Sequence, residues 1–600
     1  MRKDFQNYKD LYSSLKVNRD KNMPLWQSIS KIVGINVDPQ YANQVATPGN
    51  QKDECIDDPT AAISVNQAGD YLWGIIWGDG NNVFSLAPSD EVLELADESE
   101  LTKYYEWRSR RLLGRMNHSD AGLQGVGKAY SYDQSAFGTS GIGVFPNKAY
   151  KEGVEDNIFI FRNYGVDSLA IDEGKNGLVD IIFVPYRWRT NRIVNEFCQE
   201  KGKVSDKLLA KMPKAIKDAY NNNDANQEFN IVHGIIPRDD YNPKLQGKRG
   251  AKYKGIWFLD DNADDPFYEE DYVKLPIGVC RAIKIRGEVF GRSSGTMLIS
   301  TIRSVNYMVG KVIEVMEKQV SPSLGMWGNA ILGDNVVDTS AEGLTVFNPA
   351  FANGQQNPIF QLHDVGDPSN LVKFLIPYLN EKITTAFKID ILLDFNDKSS
   401  KTATEMLQRA AIRDKSLSAL LQQQKAECLE VLIHRCISIE DGLDEGGINK
   451  NLFAEIAQKL FNAGKGDRII PDAVLACKAQ GKPWYKIKWN NGLDKLSKAE
   501  KLEALMQMLN VITALASLYP AIVEAIDWYG LLTDFKDALN IRGSFVKTAE
   551  EFKAAVAAQA QMQAQMMQLQ GAKLGSEAQR NISGAKKDEA SAKQTEGGKG

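Results

Sequence analysis

The chain has 600 residues, of which 43% are hydrophobic and 25% charged, the composition of ordinary globular material with ample core. A formal net charge of −5 excludes bulk electrostatic affinity for nucleic acid, because phosphate binding comes from clustered Lys and Arg that displace counterions. Six cysteines without a C-x-x-C pair read as a reduced intracellular protein rather than a disulfide framework or zinc site.

The polar start MRKDFQNYKDLYSSLK lacks a secretory signal and predicts an amphipathic helix to about Arg19, then a polar arm through Pro48 and Gly49. After Asp58, apolar clusters alternate with Gly turns and lead to a candidate strand at Val83–Leu86. Helices are expected from Glu91 to about Met116 and from Asp120 to Gly138. The second runs into GTSGIGVF, the glycine cluster that most deserves testing as a phosphate cradle. It lacks the GK[ST] ending and runs from helix into strand, the reverse of the order that aims backbone N–H groups at phosphate. A glycine-permitted turn is the better reading.

From Asn157 to Arg286 the pattern changes to strands: IFIFR, LVDIIFVPYRW, FNIVHGIIPR, YKGIWFLD and GVCRAIKIR are β-branched or aromatic runs between polar turns. Gly287 and Gly291 permit a sharp turn out of the sheet. Arg281 and Glu288 read as a strand ion pair and a turn residue, not as a catalytic pair.

The stretch from Gly291 to Arg409 organises the chain. Leu298, Ile302, Val305, Val309, Val312 and Met316 recur in steps of four and three, the seam of a helix packed lengthwise on another. This helix runs from about Thr296 to Val320, roughly 37 Å at 1.5 Å per residue. Ser293 or Ser294 caps it and Ser321-Pro322 stops it. A second helix opens at Asp367-Pro368 and continues to about Phe387, with Val372, Ile376, Leu379 and Ile383 on one face and a kink expected at Pro377. Between them, Pro322 to Gly366 reads as a small projecting β-containing module. A short polar loop from Ile389 follows, with Asp394, Phe395, Asn396, Asp397, Lys398 and Lys401, and then Thr402 and Glu405 form a capping box with Arg409 four residues beyond Glu405.

Helical periodicity extends to about Ile437, and short elements in a linker-rich region reach Trp489. Cys428, His434 and Cys436 spread around a helix and lack a fourth ligand, so ordinary helix residues are favoured over a metal site. Helices are expected at Lys495–Leu518, Pro520–Leu532 and Ala549–Leu569, the last rich in Ala, Gln and Met and suited to a ring of helices. The apolar run from Met508 is interrupted by Asn510, Thr513, Ser517 and Pro520, so a packed helix is preferred to a membrane span. From Gly571 the polar tail reads as disordered.

Helix, excursion, helix, loop and TATE-x-x-x-R helix resemble the stem, clip, second stem helix, tunnel loop and following helix of the portal, or head-to-tail connector, proteins of short-tailed bacteriophages. Val83-Phe84-Ser85-Leu86 is similar to the family's W-F-x-L strand without its tryptophan. Similar stretches in family order are the glycine turn after Phe137, the DEGKNGLVD hairpin, Thr190–Phe197, PIGVCRAIKIRGEVFG and the region around Asp527. The resemblance covers most of residues 55 to 560. It implies an α+β, mainly helical subunit with wing, stem, clip and crown regions: arm and wing 1–295, first stem helix 296–320, clip 321–367, second stem helix 368–388, tunnel loop 389–401, long wing helix and connecting region 402–494, crown 495–570.

The resemblance further implies a homo-oligomer, a dodecameric ring at one capsid vertex of the virion, assembled in the host cytoplasm. Its channel passes double-stranded DNA in packaging and ejection, and its partners are major capsid and scaffold proteins, terminase and a tail adaptor, with no membrane. Asp394 to Lys398 and Lys401 then face the channel, Leu298 to Met316 pack the stem, and Thr402, Glu405 and Arg409 start the next helix. No cofactor, metal or catalytic residue is expected: there is no Walker lysine, acidic metal cluster or nucleophile-base pair, and the chain has four histidines. A helical tail or adaptor component without a channel is the alternative, and a nucleotide-dependent enzyme a more distant one.

Overall fold

The computed structural model describes residues 2–33, 56–78, 83–96, 98–147, 150, 157–200, 203–242, 248–260, 266–320, 324–326, 359–361, 368–387, 421–442, 470–489, 505–512, 530–532 and 549–596. The elements in chain order are α1 (Arg2–Val33), α2 (Thr60–Ile76), β1 (Phe84–Pro88), α3 (Glu98–Met116), α4 (Leu123–Phe137), β2 (Thr139–Pro146), β3 (Phe159–Tyr164), β4 (Ala170–Glu173), β5 (Val179–Arg189), α5 (Thr190–Cys198) and α6 (Lys214–Asn221). They continue with β6 (Glu228–Pro237), β7 (Tyr253–Leu259), β8 (Tyr268–Tyr272), β9 (Ile277–Arg281), α7 (Ile299–Val320), β10 (Leu324–Met326), β11 (Ile359–Gln361), α8 (Ile376–Ala386), α9 (Glu430–Glu440), α10 (Asp472–Ala479), β12 (Tyr485–Trp489) and α11 (Ala549–Glu596). The mixture is α+β, with several small antiparallel sheets among the helices.

A five-stranded sheet in the order β8-β7-β6-β5-β4 is antiparallel throughout, and a three-stranded sheet has the order β9-β2-β3. Alternation along the larger sheet sends side chains to both faces, and both are covered. Phe183, Val232, Ile256 and Phe258 meet Tyr12 and Leu15 of α1, whereas Trp188, Ile231 and Trp257 meet Ile193, Phe197 and Ile216 of α5 and α6.

The first helix does not stop near Arg19. It runs to Val33 with Pro24 inside it, because Met23, Trp26, Ile29 and Val33 continue the apolar face into a second core with α2, β5 and β9. The helix expected from Glu91 is interrupted: a turn at Asp90–Leu93 docks against α10 before α3 begins at Glu98. The third core joins α3, α4, β2 and β3 to Cys428, Leu432, Cys436 and Ile437, and to Val474 and Trp489. There β1 pairs with β12, Phe84 opposite Trp489 and Pro88 opposite Tyr485, so residues 470–489 return to the first hundred.

The C-terminal segment expected to be disordered from Gly571 is helical, as α11 continues to Glu596. Ala, Gln, Glu and Lys are strong helix formers, and low hydrophobicity alone does not separate a solvated helix from coil. Among the described residues no helix is long and apolar enough to cross a membrane.

Two carboxylates meet where α4 approaches the turn after β3. Asp133 and Asp167 both lie beside Gly165; Asn163 donates to Asp133 (2.7 Å), and Arg19 donates to the Asp167 carbonyl (3.0 Å). Burial pushes Asp167 up to about 7, with Asp133 adding to it, and burial pushes Asp133 up to about 6 against the Asn163 hydrogen bond. Raised folded-state values stabilise the acid side: stability is gained as pH falls through 7 and lost as it rises. Between pH 8 and 6.5 the two carboxyls contribute a gain of about 1 kcal/mol, most of it from Asp167. Burial lowers His434 to about 4 and His233 to about 3, and because unfolded histidine is already half protonated at its ordinary value of 6.5, these two lose nearly as much over the same window and leave a small net change. Thermal melts at the two pH values check it: the wild type should change little, whereas Asp167→Asn, which lacks the gain, should be less stable at pH 6.5 than at pH 8 by roughly half a kcal/mol.

Candidate functional site

The start of α7 is where the three-stranded sheet, α4 and the pair α7–α8 meet. The chain leaves β9 through a turn in which Gly287 has φ 84°, as expected, and Ile283 and Arg292 bridge across it with N–H to O distances of 3.1 and 2.9 Å. Arg292 pairs with Glu288, the turn residue, rather than Glu288 pairing with Arg281. Gly138, at φ 87°, caps α4, and a Cβ there would lie 2.2 Å from the Arg292 carbonyl carbon. The glycine cluster is therefore a helix-to-strand turn that lets the backbone at Arg292 and Ser293 approach.

Ser293 caps a four-residue helical turn, Ser294–Met297, that leads into α7. Its hydroxyl accepts from the Thr296 N–H (3.1 Å) and donates to the Ala136 carbonyl (2.6 Å), while Thr296 Oγ1 accepts from the Ser293 N–H (2.9 Å). The capping box thus also fastens the start of α7 to the end of α4. Ser294 Oγ donates to the Ala386 carbonyl (2.9 Å), tying the turn before α7 to the end of α8. Asn306 Oδ1 accepts from the N–H groups of Asp57 and Asp58 (2.8 and 3.0 Å), and Trp26 meets Phe290 edge-on at 5.1 Å.

The seam divides into two halves. Ile302 and Val305 are buried with Ile383 and Phe387, and Leu298, Val309, Ile376 and Leu379 pack against them. Val312 is buried as well. Beyond it the four-three steps continue through Ile313, Met316 and Val320, but these are 43%, 51% and 88% exposed, and Phe374 on the second helix is 70% exposed. Val372, expected to face inward, is also exposed. The reason is local: the π-helical turn Leu371–Leu375 precedes Pro377, which has no N–H to give to the carbonyl four residues back. The expected kink therefore takes the form of a widened turn, which rotates the residues ahead of it.

At the far end of the hairpin β10 pairs with β11, Gly325 opposite Phe360, closing the neck of the intervening module. Residues 327–358 lie outside the described residues. So do Asp394, Phe395, Asn396, Asp397, Lys398 and Lys401, and Thr402, Glu405 and Arg409 with their capping box.

Arg281 is fully buried and holds the three-stranded sheet that leads into α7 to the helical turn before α9. Its Nη2 donates to Glu427 Oε1 (2.6 Å) and the Gly177 carbonyl (2.7 Å), its backbone N–H donates to Glu427 Oε2 (2.9 Å), and Nη1 pairs with Glu173. Burial opposes its charge, yet the hydrogen bond and charge of Glu427, with Glu173, hold the guanidinium above its ordinary value. Glu427 sits in a second π-helical turn, Lys425–Leu429, where the Cys428 thiol donates to the Gly278 carbonyl at 3.6 Å. At the other end of α9, Arg108 pairs with Asp441 (2.7 Å) and Glu440 (3.4 Å), Arg115 with Glu440 (2.8 Å), and Lys478 with Asp441 (3.0 Å). Sequence reasoning found Arg281 but missed its partners: Glu427 is 146 residues away, and no local pattern links the two. Among the other singled-out residues, Cys436 is core, and His434 contacts the Tyr485 hydroxyl.

Comparison with known proteins gives a match to the family model described as bacteriophage head to tail connecting protein over residues 6–445. A probable portal protein of Bordetella phage BPP-1 is 21% identical over 302 residues, 50% of this chain and 50% of that protein, so the match spans half of the relative's length. A solved structure titled as the neck of an empty GTA particle, computed with C6 symmetry, is 11% identical; it covers 76% of this chain and 93% of its own, and its TM-score of 0.30 carries no weight. With the family pattern running from α1 through α7 and α8 to the end of α9, the chain belongs to the bacteriophage head to tail connecting proteins.

Proposed function

We propose that the chain is a portal subunit: copies form a closed ring, a dodecamer, at one capsid vertex of a phage particle and pass double-stranded DNA through its axis. The observation that supports this best is the stem hairpin, whose apolar seam runs on past the cover its own chain provides. A closed ring of head-to-tail contacts covers such a surface on every copy at once. Each fully buried Ile, Met, Val or Phe contributes about 1.5–3 kcal/mol. In this reading the wing is 1–295, the stem 296–320 and 368–388, the clip 321–367, and the crown 495–570. Capsid and scaffold proteins, terminase and a tail adaptor dock on it, in the virion and during assembly in the host cytoplasm.

The role is that of a conduit rather than a catalyst. The net charge of −5 per copy makes the ring acidic, which favours sliding over holding of DNA. Buried Arg108 and Arg281 are committed to structural ion pairs, and His233 and His434 are held neutral by burial. Native mass spectrometry of the purified chain is expected to show closed oligomers and an ATPase assay no turnover; a persistent monomer would overturn the reading.

The polar loop 389–401 follows the second stem helix, so its copies converge towards the ring axis. Lys398 touches phosphate there, while Asp394 and Asp397 keep the contact weak. Deleting Asn396 to Ser399 is expected to leave rings intact and to lower the nuclease-protected DNA per particle. Lost rings with normal packaging in the particles that form would contradict it.

A further inference from the structure

The α5–α6 layer departs from the charge of the rest of the chain. From Thr190 to Asn221 seven Lys and Arg stand against four carboxylates, in a protein whose net charge is −5. The layer's inner face is fixed by Ile193, Val194, Phe197, Met212 and Ile216, which are buried on the five-stranded sheet. That packing turns the interleaved cations outward, and Arg192, Lys203, Lys207, Lys211 and Lys214 are all exposed. They come from a helix, a hairpin, a helical turn with the bend after it, and a second helix, elements that pack on one another, so they are not one helix's stripe.

Elsewhere several exposed and half-buried cations have carboxylate partners: Lys16 with Asp260, Lys128 with Asp70, Lys254 with Glu269, Lys486 with Asp90. None of Lys203, Lys207, Lys211, Lys214 and Arg192 pairs with a carboxylate among the described residues. Arg192 lies over the Trp188 ring at 4.5 Å, which holds one guanidinium face and leaves its N–H edge for an oxyanion. The large apolar side chains of this stretch are buried or half-buried, so the face has no apolar centre of the kind a folded protein partner needs.

We infer that this face binds the phosphate backbone of duplex DNA, without sequence preference. Cations spread over one face with no apolar core match a regular polyanion. Duplex DNA is chosen as that polyanion because the proposed function sets it beside the subunit, and in this respect the assignment rests on that reading. The phosphate face would lie on the wing, apart from the loop proposed to meet DNA in the channel.

The experiment is fluorescence anisotropy of a short labelled duplex with the full-length protein at several salt concentrations. The wild type is compared with a variant carrying Lys203→Gln, Lys207→Gln, Lys211→Gln and Lys214→Gln, and with the same four positions changed to Arg. If each lysine neutralises one phosphate, the log–log salt slope should weaken by about 3.6 in the Gln variant, from ~0.9 per contact. The Arg variant should bind as the wild type does. All four positions are exposed, so an unchanged melting temperature is expected and excludes misfolding. Equal DNA affinity and slope in the Gln variant would overturn the assignment, as would binding of polyglutamate in preference to the duplex, which would make the partner an acidic polypeptide. Ring formation is read separately by electron microscopy, so a failed portal reading and a failed phosphate face are distinguishable.

Discussion

Replacing Arg281 by Met is expected to destabilise the subunit by about 3–5 kcal/mol, because it strands a buried carboxylate that the guanidinium now pairs. Glu427 accepts three hydrogen bonds from Arg281, and Glu173 shares the same guanidinium. Methionine fills much of the space, so lost volume contributes little. Urea denaturation measures the effect, and the double variant Arg281→Met with Glu427→Met should recover most of it, since two apolar groups leave no uncompensated charge there. A double variant as unstable as the single one would mean that the pair is incidental and that packing around β9 carries the stability. The link matters because β9 leads into α7 and Glu427 lies in the helical turn just before α9: the pair holds two parts of the subunit in one register.

The second large effect separates the two halves of the seam. Val305 is fully buried, so Val305→Asp places an unpaired carboxylate in the core shared with Ile383 and is expected to cost on the order of 4 kcal/mol. Met316 is 51% exposed in the single subunit, so Met316→Asp should leave its melting temperature nearly unchanged. It should nonetheless prevent oligomers, because in a closed ring the same residue is covered and the carboxylate has no partner. Circular dichroism and size-exclusion chromatography read the two outcomes independently. Equal destabilisation by both variants would mean that Met316 is already part of the subunit's own core.

What was legible in the sequence follows from how local each signal is. The four-three steps from Leu298 to Val312, the Ser293 cap and the glycine turns depend on residues a few positions apart, and they stand where the pattern puts them. The strands Phe159–Tyr164, Val179–Arg189 and Tyr253–Leu259 are β-branched or aromatic runs and were equally readable. Tyr268–Tyr272 was not, because Tyr-Glu-Glu-Asp-Tyr has the composition of a turn; it is tolerated as a strand at the sheet edge, where charged side chains reach solvent. The extension of the first helix past Arg19 is written locally in Met23, Trp26, Ile29 and Val33, which keep the helical spacing, but Pro24 and the polar residues between them obscure it until distant segments supply the core that buries this face. The ion pairs of Arg281 and Arg108 join positions hundreds of residues apart in several cases, and their partners become visible only once the sheets and α9 are in place.

Electron microscopy of the purified full-length protein tests the central claim most directly, because the exposed half of the seam is held to be covered by neighbouring copies around an axis. Class averages should show closed rings with a central hole for the wild type and dispersed subunits for Met316→Asp. Monomers, open filaments or solid discs from the wild type would contradict the account.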